Sequence, residues 1–177
     1  MYHSVTLTVS RNLTLYASMN AEVIAQFGNK IRIRVCGICC QGNSVLLVNH
    51  RDIGPFGNFW APPGGGLHFG ESMQEALRRE FREETGLDIQ AGELLFVNEF
   101  IGLPLHAVEL FFLVEILGGS LQRGTDPEVQ TQLIREVRFL PFSAINAIPE
   151  GQKHNLFRHC QSMGELLRMR GFYSLTR

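Results

Sequence analysis

The segment 72–86 constrains the fold of this chain more than any other part of its sequence, because it specifies both ends of one helix. Ser72 and Glu75 have the spacing of a capping box, in which each side chain accepts a hydrogen bond from a free amide of the other residue. Gly86 is typical of the left-handed residue that follows the last turn of a helix. The sequence therefore predicts a helix between Ser72 and Gly86.

The acidic and apolar side chains of this helix fall on the same side. At about 100° per residue, three glutamates share an arc with the apolar residues. The shared arc holds Glu80, Glu83, Glu84, Met73, Ala76, Leu77 and Phe81. The opposite, solvated side holds Gln74, Glu75, Arg78 and Arg82.

Clustered acids usually form a hydrated helix surface, but acids on the core side need compensation. Carboxylates placed there repel one another and lose hydration, which costs several kcal/mol per ion unless cations are nearby. Arg79, one turn before Glu83, can neutralise only part of that charge. Hard divalent cations favour such oxygen clusters, so the pattern predicts an Mg²⁺ site, with Mn²⁺ as the alternative ion.

The rest of the chain contains mainly strand patterns. Residues 30–40 and 44–49, joined by a turn, predict a hairpin. Residues 51–66, with five glycines and three prolines, are predicted to form a long structured loop. Further strands are predicted at 93–99, 107–116 and 136–140, a short helix at 143–147 and a longer helix at 155–169. This order predicts an α/β fold, an α/β/α sandwich with a mixed β-sheet.

Three of the four cysteines lie close together, at Cys36, Cys39 and Cys40, which raises the question of a metal or redox site. Residues three apart in a strand point to opposite faces, so Cys36 and Cys39 are predicted to be reduced core residues.

Composition favours one soluble domain, because 177 residues with 45% hydrophobic content can build a single core. We assign that domain to residues 29–177, including the C-terminal helix. Residues 1–28 are an extension: an added strand, a dimer arm, or residues before a natural start near Met19. A net charge of −1 predicts neither nucleic acid nor a membrane as partner, and no secretory signal is recognisable, so a cytoplasmic location is expected. A homodimer is compatible with the sequence.

The helix belongs to a longer motif that begins at Gly65. From there the chain has five residues to Glu71, seven more to Arg79, and then REFREETGL to Leu87. This pattern resembles the complete Nudix box, Gx5Ex7REUxEExGU, at every specified position. The resemblance extends over about residues 30–148 in the order of strands and helices, and it implies the fold of that family.

The resemblance also implies an enzyme that hydrolyses phosphoric anhydride bonds with a metal-activated water. Glu80, Glu83 and Glu84 would ligate one to three divalent ions, together with the carbonyl oxygen of Gly64. Arg79 would orient these glutamates.

Further roles follow from the same resemblance. Glu71 would hold the loop against the helix. The general base would be Glu80 or Glu83. Glu128 and Glu136 are later candidates, but the residues themselves favour a solvated turn acid for Glu128 and leave Glu136 ambiguous beside a strand.

The substrate is expected to be a small nucleotide, a nucleoside diphosphate linked to another group. Gly65 and Gly66 would let the backbone approach it closely, although a flexible turn explains a glycine run by itself. Arg51 would contact a phosphate, with an ordinary surface charge as the alternative. Trp60 would stack on a base, but an isolated aromatic near glycines favours packing of the loop against the core. Pro104, 17 residues beyond Leu87, slightly favours ADP-ribose or a nucleotide sugar.

Three other functions remain as alternatives. The first is a pyrophosphatase that cleans the nucleoside triphosphate pool. The second is a nucleotide-sensing domain without turnover, which the complete set of box acids disfavours. The third is a prenyl diphosphate isomerase, which would need a cysteine facing the acids.

Overall fold

The computed structural model describes residues 21–51, 56–125 and 132–176. Most of the extension predicted for residues 1–28 and the candidate base Glu128 lie outside these ranges. None of the helices within them is long and apolar enough to cross a membrane.

Eight strands and four α-helices make up the described part of the chain. The strands are β1 (Ile31–Gln41), β2 (Ser44–Arg51), β3 (Asn58–Ala61), β4 (Gly64–Gly66), β5 (Leu87–Gly102), β6 (Leu105–Gly119), β7 (Ile134–Pro141) and β8 (Gly171–Thr176). The α-helices are α1 (Ala21–Phe27), α2 (Met73–Thr85), α3 (Phe142–Ala147) and α4 (Met163–Arg168). Two 3₁₀ helices span Glu150–Gln152 and Asn155–Arg158.

The strands form a mixed sheet in the order β3-β2-β1-β6-β5-β8, with β4 paired to β1 and β7 paired to β2. Strand β1 runs parallel to β6, and β5 runs parallel to β8. The hairpins β1–β2 and β5–β6 are antiparallel. Helix α2 covers one face of the sheet, and the segment after β7 covers the other. The predicted α/β/α sandwich is therefore confirmed.

Alternation along β1 divides its side chains between two hydrophobic clusters. Val35 and Cys39 pack with Leu77 and Phe81 of α2. Cys36 and Ile38 face the other way and pack among residues on the opposite side of the sheet. All four cysteines of the chain are free thiols. The prediction that Cys36 and Cys39 diverge as core residues is confirmed.

The prediction that residues 51–66 form only a loop is wrong. This segment contains β3 and β4, and Gly65 pairs with Val35 in the middle of β1. Glycine is depleted in strands, so composition alone indicated a loop. Here the pairing comes from backbone atoms, and all three residues of β4 are buried.

The single helix predicted at 155–169 is also wrong, because it is divided into a 3₁₀ helix and α4. Ser162 accepts a hydrogen bond from the backbone N–H of Glu165 and begins a new helix. The apolar period of the sequence continues across this break, which hides it. Strand β8 was not predicted, since its pairing with β5 joins residues distant in sequence.

Candidate functional site

Helix α2 has the bounds and caps that the sequence predicts. The Glu75 backbone N–H donates to Oγ of Ser72 at 3.3 Å, and the Ser72 N–H donates to Oε2 of Glu75 at 2.9 Å. Gly86 has a φ of 71° and donates its N–H to the carbonyl of Arg82 at 3.1 Å. These caps fix the residues at which α2 begins and ends.

The acids of α2 lie on its buried side, as the helical wheel predicts. Glu80 is 7% exposed and Glu84 is 4% exposed, whereas the side chain of Glu83 is 28% exposed. The helical wheel places Met73 in the apolar arc, which predicts that it is buried. That prediction is wrong, because Met73 lies in the first turn and is 39% exposed. The site is therefore a partly closed cluster of carboxylates with Glu83 at its open side.

Arg79 is the cation at the centre of this cluster. Its Nε and Nη2 donate to the two carboxylate oxygens of Glu71 at 2.9 and 3.0 Å. Its Nη1 donates to Oε1 of Glu80 at 2.8 Å and to Oε2 of Glu83 at 3.3 Å. The hydrogen bond to Glu71 raises the pKa of Arg79 above its usual range, and the same bond lowers the pKa of Glu71.

The backbone of β4 lies directly against these carboxylates. The N–H of Gly64 donates to Oε2 of Glu84 at 2.9 Å. A Cβ on Gly65 would lie 2.1 Å from Oε1 of Glu80. The carbonyl of Gly66 accepts a hydrogen bond from Nη2 of Arg79 at 3.0 Å. Glycines in β4 therefore allow an approach that any side chain would block.

The donors present here fit a hard divalent cation. Carboxylates and one backbone carbonyl are the oxygen ligands that Mg²⁺ and Mn²⁺ prefer. Three glutamates, Glu71, Glu80 and Glu83, contact the one guanidinium group of Arg79. Within the described ranges, no three His, Cys, Asp or Glu side chains already stand in a metal-binding arrangement. Glu80 and Glu83 are instead drawn to Arg79, and Glu84 to the Gly64 amide.

Residues predicted to contact substrate lie at different depths. Gly65 and Gly66 are buried in β4 beside the acids. Arg51, at the end of β2, is half-buried, and its Nε has no hydrogen-bond partner within the described ranges. Trp60 is 7% exposed and belongs to the hydrophobic cluster on the face of the sheet opposite α2. Its burial favours packing over stacking on a base.

Two further predicted positions have local partners. Glu136 accepts a hydrogen bond from Asn49 at 3.4 Å and lies 3.5 Å from Nε of Arg138. Pro104 lies in the turn between β5 and β6, where its carbonyl accepts a hydrogen bond from the Asn29 N–H at 2.9 Å.

Sequence reasoning missed a buried polar network on the sheet face opposite α2. Oε2 of Glu109 is 2.8 Å from Nε2 of His154 and from Nδ2 of Asn98, and Asn155 donates to Asn98 at 3.1 Å. Burial by itself would raise the pKa of Glu109, but its contacts with His154, Arg34 and Asn98 lower it to about 2. A glutamate inside the apolar strand β6 was the available signal.

The position of Cys36 bears on the isomerase alternative, which requires a cysteine facing the acids. Its Cα pairs with Gly64 across β1 and β4, so it lies near the acids. However, it belongs to the cluster on the sheet face opposite α2, and burial raises the pKa of its thiol. Cys36 is therefore a protonated core residue, and the isomerase reading gains no support.

Comparisons with known proteins agree on one family. A family model described as the NUDIX domain matches residues 30–159. The nucleoside triphosphatase NudI of Enterobacter sp. (strain 638) is 48% identical over 56 residues, which cover 31% of this chain and 40% of that protein. An ADP-ribose pyrophosphatase of Methanocaldococcus jannaschii is 40% identical over 65 residues, 37% of this chain and 38% of that protein.

These matches therefore span only about two fifths of each relative. Among solved structures, a NUDIX hydrolase from Nitrosomonas europaea superposes with a TM-score of 0.63 at 22% identity, covering 74% of this chain and 86% of that one. At that identity the superposition supports the fold alone. The family model, which covers well over half of the chain, shows that the chain belongs to the Nudix family.

Proposed function

We propose that this chain is a divalent-metal-dependent pyrophosphohydrolase that cleaves the diphosphate of a nucleoside diphosphate linked to another group. One observation carries the proposal: Glu80 and Glu84 are buried beside Glu83, and Glu71, Glu80 and Glu83 surround Arg79, with Arg34 nearby at the Gly64 carbonyl. Buried negative charge in such excess is costly unless further cations bind. A metal ion and a polyphosphate are the partners that this charge pattern fits.

In this proposal Glu80, Glu83, Glu84 and the carbonyl oxygen of Gly64 would hold the ion. A divalent ion held there would neutralise charge on the diphosphate and would make water a better nucleophile. Arg79 keeps Glu80 and Glu83 aligned through its two Nη1 contacts. The Glu71 carboxylate fixes Arg79 through its bidentate ion pair.

The proton of the attacking water passes to a carboxylate at the open side of the site. Glu83 suits this role because it is the most exposed of the three glutamates, and Glu80 is the other candidate. The water oxygen forms a bond to phosphorus while the bond to the bridging oxygen breaks, which releases two phosphate-containing products. Arg51, Gly65 and Gly66 are the proposed contacts to the substrate.

We propose ADP-ribose or a nucleotide sugar as substrate, supported by the position of Pro104 and by the similarity to a named ADP-ribose pyrophosphatase. Nucleoside triphosphates are the second candidate. The nucleoside triphosphatase NudI is 48% identical to this chain over 56 residues, whereas the ADP-ribose pyrophosphatase is 40% identical over 65 residues. We also propose that the catalytic domain begins near residue 29, because the family match begins at residue 30.

The test is a panel of dinucleotides, nucleotide sugars and nucleoside triphosphates, each incubated with Mg²⁺ or Mn²⁺. Nucleotide and phosphate products are measured for wild type, Glu83→Gln and Glu84→Gln. We expect each variant to lose about 100-fold or more in kcat, because each loses a charge that acts on the reacting centre. Glu115→Gln, which removes an exposed carboxylate outside the box, serves as the matched control.

Two outcomes count against the proposal. If the wild-type protein releases no product from any of these substrates with either ion, it is not a hydrolase of this class. If it then binds a nucleotide without turnover, the nucleotide-sensing alternative is favoured. Wild-type rates in both Glu83→Gln and Glu84→Gln remove the carboxylate cluster from the mechanism.

A further inference from the structure

We infer that Arg34, which lies outside the box, is a positioning residue that holds the carbonyl oxygen of Gly64 in place for the metal. Glu109, which is bonded to His154, in turn pairs with Arg34. The inference rests on the proposed function, because it takes the Gly64 carbonyl as a ligand of the ion. It extends the site to the opposite face of the sheet.

The register of β1 and β4 brings Arg34 to this carbonyl. Arg34 is paired with Gly66, and Cys36, two residues later on the same face of β1, is paired with Gly64. The Arg34 side chain therefore needs to reach only one pleat along the strand. Its Nη2 donates to the carbonyl oxygen of Gly64 at 2.8 Å.

Gly64 is thereby held from both sides of its backbone. Its N–H donates to Glu84 of α2, and its carbonyl accepts from Arg34 of β1. The residue has a φ of 150°, a conformation that side chains other than glycine rarely adopt. A glycine has wide rotational freedom, so these two hydrogen bonds act together with the pairing of β4 and β1 to define the direction of its carbonyl.

Arg34 itself is fixed by a chain of buried contacts. Its Nε lies 3.5 Å from Oε1 of Glu109. The other oxygen of Glu109 is bonded by His154 and Asn98, so Glu109 joins these residues to Arg34 through an ion pair, without a hydrogen bond to the Arg34 Nε. The Leu156 N–H donates to Nδ1 of His154 at 3.2 Å, and Nε2 of the same ring lies 2.8 Å from Oε2 of Glu109, so His154 ties Glu109 to the backbone.

The charge of Arg34 makes its role measurable. A cation beside a metal ligand repels the ion, so removing it should strengthen metal binding if charge were its only effect. A hydrogen bond that orients the ligand has the opposite effect, because losing it weakens metal binding. Glu109 offsets the charge of Arg34, so we expect orientation to dominate.

The experiment measures Mn²⁺ binding to the substrate-free protein by calorimetry and by the electron paramagnetic resonance signal of free Mn²⁺. We expect Arg34→Met to weaken binding about tenfold and Arg34→Lys, which can still donate to the carbonyl, to recover most of that loss. The Mn²⁺ concentration for half-maximal hydrolysis should rise in parallel, while kcat at saturating Mn²⁺ stays near wild type. Arg32→Met, on the same face of β1 and over the ring of Phe27, is the matched control.

Glu109→Gln provides a second variant if Arg34→Met does not fold. It keeps a side chain of similar shape and removes the charge that holds Arg34, so Mn²⁺ binding should weaken by several-fold. Mn²⁺ binding as tight as wild type, or tighter, in the folded Arg34 and Glu109 variants overturns the inference. Wild type that neither binds Mn²⁺ nor hydrolyses substrate defeats the proposed function instead, so the two failures are distinguishable.

Discussion

Substituting Gly65 by alanine should reduce activity about 100-fold while leaving the fold intact. An ideal Cβ at this position lies 2.1 Å from Oε1 and 2.3 Å from Cδ of Glu80. Carbon atoms that are not bonded pack at about 3.5–4.0 Å, so the carboxyl group must retreat by more than about 1 Å. The substitution therefore displaces one proposed ligand without removing it.

The expected loss of activity follows from that displacement. A shift of about 1 Å in a catalytic group can reduce the rate by about 100-fold, or about 2.7 kcal/mol of transition-state stabilisation. The fold should be little affected, because the three atoms nearest the new methyl group all belong to the end of the flexible Glu80 side chain. Alanine also reduces the entropy of the unfolded chain, so the free energy of unfolding should change by less than about 1 kcal/mol.

The assay compares kcat/KM and urea denaturation for Gly65→Ala and two other glycine variants. Gly118→Ala, where a Cβ meets no atom within 4 Å, should match wild type in both measurements. Gly64→Ala should lose stability as well as activity, because its Cβ would lie 2.2 Å from the backbone oxygen of Val35. A kcat/KM of Gly65→Ala within about threefold of wild type, with a normal denaturation curve, would refute the reasoning on Glu80.

Two further predictions concern stability. Because its folded-state pKa is lowered from 4.5 to about 2, Glu109 should stabilise the fold above pH 4.5 and lose this contribution as the pH falls toward 2. Near neutral pH, the free energy of unfolding of the wild type, measured by urea denaturation, should therefore exceed that of Glu109→Gln by up to about 3 kcal/mol. A difference between the two proteins that stays constant down to pH 2.5 would contradict this. Trp60→Leu should lower the free energy of unfolding by about 2–4 kcal/mol and leave KM unchanged, since Trp60 is buried. An increase in KM at unchanged stability would show instead that Trp60 contacts substrate.

Much of the site's local geometry was predictable from the sequence. The capping box at Ser72, the left-handed Gly86 and the burial of Glu80 and Glu84 all follow from the residues of one helix. Capping and helical period act over only a few residues, so each is visible in a short segment. The alternation in β1 predicted the two directions of Cys36 and Cys39 for the same reason.

Other features depended on partners that no local pattern specifies. Strand β4 exists because the glycine run pairs with β1, some 30 residues earlier, and composition favoured a loop. The terminal helix divides where Ser162 caps a new helix, although the apolar period continues across the break. Strand β8 requires the edge of β5 as its partner.

The sequence alone determined that a helix with buried acids follows a glycine run, and with it the family to which the chain belongs. The tertiary structure decided which groups surround those acids. It joined Arg34 to Gly64 and Glu109 to His154 across 30 and 45 residues, and it placed Trp60 in the core. Periodicity reports which side of an element is buried, whereas hydrogen bonds between distant residues depend on how the elements pack.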